Sequence, residues 1–249
     1  MRVVTNEQLV GRNRKIATYL FFMSLAILIL GFFFANGSLL GLVDLQNLNP
    51  NVYLVAMPLT LIVGFTTTMI SVRLTNLWIR APRPENAIQE GLKGISNKSA
   101  FYNYFHLPAR HVLVAPQGIF PIVTRFQDGT ITVKGKRMRV RRGPISSLFS
   151  IFRMDSIGNP TAEANAAAGY LEFLIEDYDE DIPIYPVIVF HDPRVKLEIA
   201  EEGPIPVVYA NSKSDPSLRD FVRSKPVAEQ FDTNKKLADF IEAFEEYTL

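Results

Sequence analysis

Two stretches of the chain, Ile16 to Ala35 and Tyr53 to Val72, each run 20 residues without a formal charge. As a helix rising about 1.5 Å per residue, each just spans the roughly 30 Å hydrocarbon core of a bilayer. A helix buried in a soluble protein carries a polar stripe, and neither stretch has one. Each holds only scattered Ser, Thr and Tyr, whose hydroxyls a helix satisfies internally. The pattern predicts a transmembrane hairpin over 16–72, with spans at 16–35 and 53–72.

Charge sets the expected orientation. Arg12, Arg14 and Lys15 precede the first span and Arg73, Arg80 and Arg83 follow the second, whereas the loop from Asn36 to Asn51 carries only Asp44. By the positive-inside rule, both termini and the main domain are expected in the cytoplasm. The loop, rich in leucine (Leu39, Leu40, Leu42, Leu45, Leu48), is expected at the outer interface. A cleaved signal peptide is the competing reading of the first span. Its apolar run is longer than the usual stretch of about 7 to 15 residues, and no small-x-small site closes it. Gly31, Pro58, Gly64 and the run Thr66 to Thr68 read as close helix packing rather than a transport path, because no ionisable group lies in either span. Trp78 falls where an interfacial anchor belongs.

The expected organisation is a cytoplasmic N-terminal segment over 1–15, the hairpin, a linker over 73–84 marked by Pro82 and Pro84, and a cytoplasmic domain over 85–249, a size that fits one domain. The near-neutral total of +1 hides an asymmetry. Residues 1–84 carry 7 Lys/Arg against 2 Asp/Glu, 85–154 carry 11 against 3, and 155–249 carry 8 against 20. The absence of cysteine excludes disulfides, thiolate metal sites and cysteine nucleophiles.

Within the domain, Glu85, Ile88, Leu92 and Ile95 keep a helical spacing. His111 to Ala115, Ile119 to Thr124 and Thr130 to Lys134 read as successive strands of a meander, with Asp128-Gly129 as a turn. Asn159 and Pro160 open a helix striped by Leu171, Leu174, Ile175 and Tyr178. Val187 to Phe190 reads as a fully buried strand, and Lys196 to Ile199 and Val207 to Ala210 as two more. Asp215-Pro216 is expected to cap a helix, and Leu237, Phe240, Ile241 and Phe244 line the last one. The order makes a mixed α/β domain.

These residues resemble a family. Glu85-x-x-Ile88-x-x-x-Leu92, followed by the run from Arg110 through Ala115-Pro116-x-Gly118-Ile119-Phe120 to Arg125 and Gly129, resembles the nuclease-related domain, NERD. The Asn159-Pro160 helix and the strand Val187 to Phe190 followed by Asp192-Pro193 resemble its second half, so the likeness covers roughly 84–224. The resemblance implies a restriction-endonuclease-like mixed sheet with flanking helices. It also implies a strand-borne acidic residue and a Glu-x-Lys that hold Mg²⁺ beside the scissile phosphate. At those positions this chain has Arg110, Val123 and Arg125. A cation and a valine cannot ligate a metal, and an arginine stays protonated and cannot serve as a base. Glu85 matches the family's first-helix glutamate, and Glu163 stands where the family often has glutamine; these two are the weak catalytic candidates. The expectation is a catalytically silent member that needs no cofactor and acts as a binding or scaffolding module. The enzyme alternative is a Mg²⁺-dependent nuclease with ligands from Glu85, Glu163 and Asp128, and a third reading is an accessory subunit of a larger membrane complex.

Lys134, Lys136, Arg137, Arg139, Arg141 and Arg142 fall within nine residues, and Arg125 is expected on the same sheet. This set is the candidate phosphate-binding face, for nucleic acid or for anionic lipid, with a protein partner as a further option. Asp177, Asp179, Glu180 and Asp181 read as a solvated acidic face, without the glycine turn and distal glutamate of a calcium loop. His106, His111 and His191 lack ligand spacing and read as structural. No Gly-x-Ser-x-Gly elbow or dinucleotide fingerprint occurs, and Gly91 to Gly94 sits inside the expected helix rather than in a phosphate loop.

Overall fold

The computed structural model describes residues 1–36, 50–141, 143, 156–176 and 181–246. The leucine-rich loop, Arg142, Tyr178 and the acidic residues Asp177, Asp179 and Glu180 lie outside the described residues. The chain divides into two compact units. One is the hairpin region Gln8–Ala81; the other joins Met1–Glu7 to the residues from Pro82 onward.

In the hairpin unit, helices α1 (Glu7–Asn36) and α2 (Pro50–Trp78) run antiparallel. Each contains a stretch long and apolar enough to cross a membrane, Glu7–Phe33 and Met57–Trp78. A Cβ on Gly31 would sit 3.3 Å from Thr60 Cγ2, and one on Gly64 3.3 Å from Ile27 Cγ2, so small residues let the helices approach closely. Several hydroxyls close on their own helices: Thr67 and Thr68 donate to the Val63 and Gly64 carbonyls, and Ser24 donates to that of Phe21. Phe22, Leu30, Leu54, Ile62 and Phe65 point outward and exposed, the reverse of a soluble helix pair. Both helices outrun the expected spans. Arg12, Arg14 and Lys15 ride on α1 and Arg73 on α2.

The second unit is a mixed α/β domain. A six-stranded sheet runs in the order β1 (Arg2–Thr5), β2 (Ala100–Asn103), β3 (His111–Ala115), β4 (Gly118–Arg125), β7 (Val187–Phe190) and β9 (Val207–Tyr209). β1 lies parallel to β2, β2–β3 and β3–β4 are antiparallel, and β4, β7 and β9 are mutually parallel. A three-stranded sheet runs β6 (Arg137–Arg141), β5 (Gly129–Lys134), β8 (Val195–Glu201). The helices are α3 (Pro84–Gly91), α4 (Pro160–Leu174), α5 (Leu218–Ser224) and α6 (Asn234–Glu246).

Strand alternation explains the layers. On β3, Leu113 and Ala115 pack with Phe120, Ile122, Ile88 of α3 and Leu218 and Val222 of α5. Val112 and Val114 turn the other way, toward Ala167 and Leu171 of α4 and the stripe Leu237, Phe240, Ile241 and Phe244 of α6. With both faces covered, β2, β3 and β7 are buried at every position, and β3 and β7 read as continuous apolar runs. A third cluster joins Val123, Ile188 and Phe190 to Ile131, Val133 and Val195, seating the small sheet beside α4.

Several expectations are corrected. The meander stops after the β3–β4 hairpin, since β5 leaves to pair with β6 and β8. The first helix ends at Gly91, where a Cβ would overlap the Ala210 carbonyl oxygen, and Ile95 is buried in the turn that follows. The α5 cap is Ser217, whose Oγ accepts from the Asp220 N–H at 3.1 Å; Asp215-Pro216 lies one step earlier. β1 falls in the N-terminal segment over 1–15, for which no strand is expected. Asn159 does cap α4, its Oδ1 accepting from Ala162 N–H at 3.1 Å.

Candidate functional site

The pairing His111↔Ile122 sets the next residue back, Arg110, opposite Val123 across the β3–β4 hairpin, and Arg125 ends β4 opposite Phe190 of β7. The three positions that carry the nuclease resemblance are therefore backbone neighbours. Arg110 is exposed, whereas the other two positions are closed off. Val123 is buried in the apolar cluster between α4 and the small sheet. Arg125 follows the same face, and its guanidinium is enclosed, only 10% exposed. Nη2 bonds Glu163 Oε1 at 2.6 Å, Nε donates to the Ile157 carbonyl at 2.9 Å, and Nη1 to that of Thr124 at 2.8 Å. Glu163 stands in the first turn of α4, where a carboxylate suits the helix dipole.

The other carboxylates do not converge there. Glu85 opens α3 and accepts from the Tyr104 hydroxyl at 2.9 Å. Helix α3 covers the sheet face opposite the one covered by α4, so Glu85 and Glu163 lie on different sides of the sheet. Asp128 meets Arg194 at 3.0 Å, and the same guanidinium forks onto buried Asp192 at 2.9 and 3.0 Å. Among the described residues, no group of three His, Asp or Glu could hold a metal ion. The residues at the resemblance positions do not fit a divalent cation: the place is filled by a guanidinium with its own carboxylate.

A buried polar cluster escaped sequence reading. Asn103 Oδ1 and His111 Nδ1 lie 2.8 Å apart, Asn103 Nδ2 donates to Thr5 Oγ1 at 3.2 Å, and the Tyr104 ring meets His111 edge-on at 4.9 Å between centroids. Tyr104 adopts φ +66°, which favours glycine, and its backbone N–H donates to the Arg110 carbonyl. Burial lowers His111 to about 3, helped by the charges of Arg110 and His191. Burial lowers His106 to about 4; its ring packs against Tyr170 and Phe244.

The basic tract is ordered by β6. Its residues alternate, with Arg137, Arg139 and Arg141 exposed and Met138 and Val140 packed on the apolar cluster beneath. Two residues of antiparallel strand advance about 6.8 Å, so the arginines form an evenly spaced row. Register places Lys134, Thr132 and Thr130 of β5 beside them, and Glu201, Glu198 and Lys196 of β8 beyond. None of the three arginines has a hydrogen bond or ion pair among the described residues. Lys134 and Lys136 are exposed at the β5–β6 turn. Arg125 does not join this row: it belongs to the six-stranded sheet and is held inward by Glu163. A signal for the row lay in the sequence, since Arg-Met-Arg-Val-Arg alternates with period two, but its charge masked it as a strand. No protein-family model, curated protein or solved structure matches this chain.

Proposed function

We propose that this protein is an integral membrane protein in which a two-helix hairpin anchors a cytoplasmic NERD-like domain, restriction-endonuclease-like in fold, that binds a phosphate-bearing ligand and does not cleave it. The observation that carries the reading is Arg125. A protonated guanidinium, bonded to Glu163 and two carbonyls, occupies the position where the resemblance calls for a lysine beside acidic ligands. The phosphate-binding part is the β6 row, whose guanidinium groups have no partner among the described residues.

The anchoring part draws on the hairpin's outward apolar side chains and on β1. Because β1 pairs with β2 along its whole length, both ends of the hairpin lead into one domain, as two spans require. The basic residues at those ends favour the cytoplasmic side.

The test is incubation of the full chain, purified in mild detergent, with labelled DNA and RNA in the presence and absence of Mg²⁺. The reading expects no cleavage above that of the Glu85→Ala and Glu163→Gln variants. Mg²⁺-dependent cleavage that disappears in Glu85→Ala would replace it with the nuclease reading.

A further inference from the structure

We infer that the arginine row of β6 docks on the anionic headgroups of the bilayer that holds the hairpin, so that the domain meets the membrane at two places. This rests on the anchored, phosphate-binding reading above and names its partner.

Confinement is the first argument. Only Asn6 separates β1 from α1, and only residues 79–83 separate α2 from α3. Five extended residues reach about 17 Å at most, so with the hairpin in a bilayer the domain stays tethered within reach of the headgroups, where anionic lipid is the most concentrated phosphate source. The second argument is the state of the arginines. Arg2, Arg125, Arg194, Arg219 and Arg223 are each committed to a carboxylate or carbonyl, whereas among the described residues Arg137, Arg139 and Arg141, like the exposed Arg110, have no side-chain partner, and only these three stand in a row on one strand. The third is the shape of the face. The row lies on the edge strand of the small sheet, with Glu198 and Glu201 two strands away, about 10 Å back. A plane of headgroups approaching that edge meets the arginines before the carboxylates. A nucleic acid laid across the face would set its phosphates against Glu198 and Glu201. It would also find no aromatic platform, because the paired residues of this face are Thr, Lys, Arg and Glu.

The chain has no cysteine, so one reporter can be placed cleanly. The full chain carrying Thr132→Cys, labelled with an environment-sensitive fluorophore, is reconstituted into nanodiscs of phosphatidylcholine alone or with about 30 mol % phosphatidylserine. The inference expects the label to be shielded from an aqueous quencher only in anionic discs. The shielding should disappear in about 0.5 M salt, where the Debye length is short. Arg139→Gln should weaken it roughly fivefold, and Arg137→Gln, Arg139→Gln and Arg141→Gln together should abolish it. These positions are exposed, so the variants keep the fold, and Lys98→Gln on another part of the surface serves as the charge-matched control. Equal quenching in both discs while the chain stays in the disc would overturn the docking and leave the anchor standing. Shielding that appears only when DNA or RNA is added would overturn it in favour of nucleic acid. Release of the chain from every disc would overturn the anchor itself.

Discussion

Arg125 and Glu163 form a lopsided pair. The guanidinium is enclosed, while the carboxylate is 57% exposed and has water as an alternative partner. Removing the arginine side chain strands the Ile157 and Thr124 carbonyls, whereas neutralising the glutamate costs only a screened contact. Arg125→Met is therefore expected to destabilise the domain by about 2 kcal/mol, and Glu163→Gln by less than about 1 kcal/mol, measured by thermal unfolding. Equal losses would contradict the geometry. The buried histidines give a pH dependence. Both His106 and His111 are held neutral well below the ordinary histidine value, to about 4 and about 3, chiefly by burial. The unfolded chain therefore takes up protons first as pH falls below about 6.5, and the folded state loses stability from there down to about pH 3. The melting temperature should drop over that window, and His106→Phe should shrink the drop. At this scale the sequence was legible in part. It gave the residues at the resemblance positions, but not that Glu163 bonds Arg125 or that α3 and α4 lie on opposite faces. Those facts depend on long-range layering that no local pattern encodes.

The elements that patterning exposed are those buried on both faces or capped by a specific side chain. β3, β4 and β7 are unbroken apolar runs, α4 opens at Asn159-Pro160, and α6 carries its four-residue stripe. β1, β2 and β6 were hidden for physical reasons. β1 begins with Arg2 and β2 ends in Tyr102-Asn103, so neither is a continuous apolar run, and every outward residue of β6 is an arginine. The end of α3 depends on a tertiary contact. Gly91 abuts the Ala210 carbonyl, which in turn follows a strand bonded to β7. Gly91→Ala would force α3 off β9 and disturb the cluster that buries Ile88, Leu218 and Val222. Overpacking of this kind costs about 3 kcal/mol or more where backbone must move, so this variant should be recovered mainly as unfolded or degraded chain. A Gln89→Ala change nearby, at an exposed position, should be neutral. Normal stability of Gly91→Ala would contradict the close approach.

At the scale of the molecule, the amphiphilic division was the most legible feature of all. Two uncharged segments with basic flanks are long and apolar enough to cross a membrane, and the structure makes both of them helices with outward apolar residues. What the sequence did not show is how firmly the two ends are tied: β1 returns the N-terminus to the sheet, where Arg2 pairs with Glu245 and Tyr102 donates to the same carboxylate at 2.7 Å. That closure makes a topological demand, because β1 and β2 must fold on one side of any membrane that the hairpin crosses. The most direct measurement is labelling of single cysteines with a membrane-impermeant maleimide in intact cells, using Gln8→Cys beside β1, Lys98→Cys in the domain and Gly41→Cys between the two helices. The account predicts that Gly41→Cys reacts from outside, while Gln8→Cys and Lys98→Cys react only after permeabilisation. Labelling of Lys98→Cys in intact cells, or of all three alike, would contradict it.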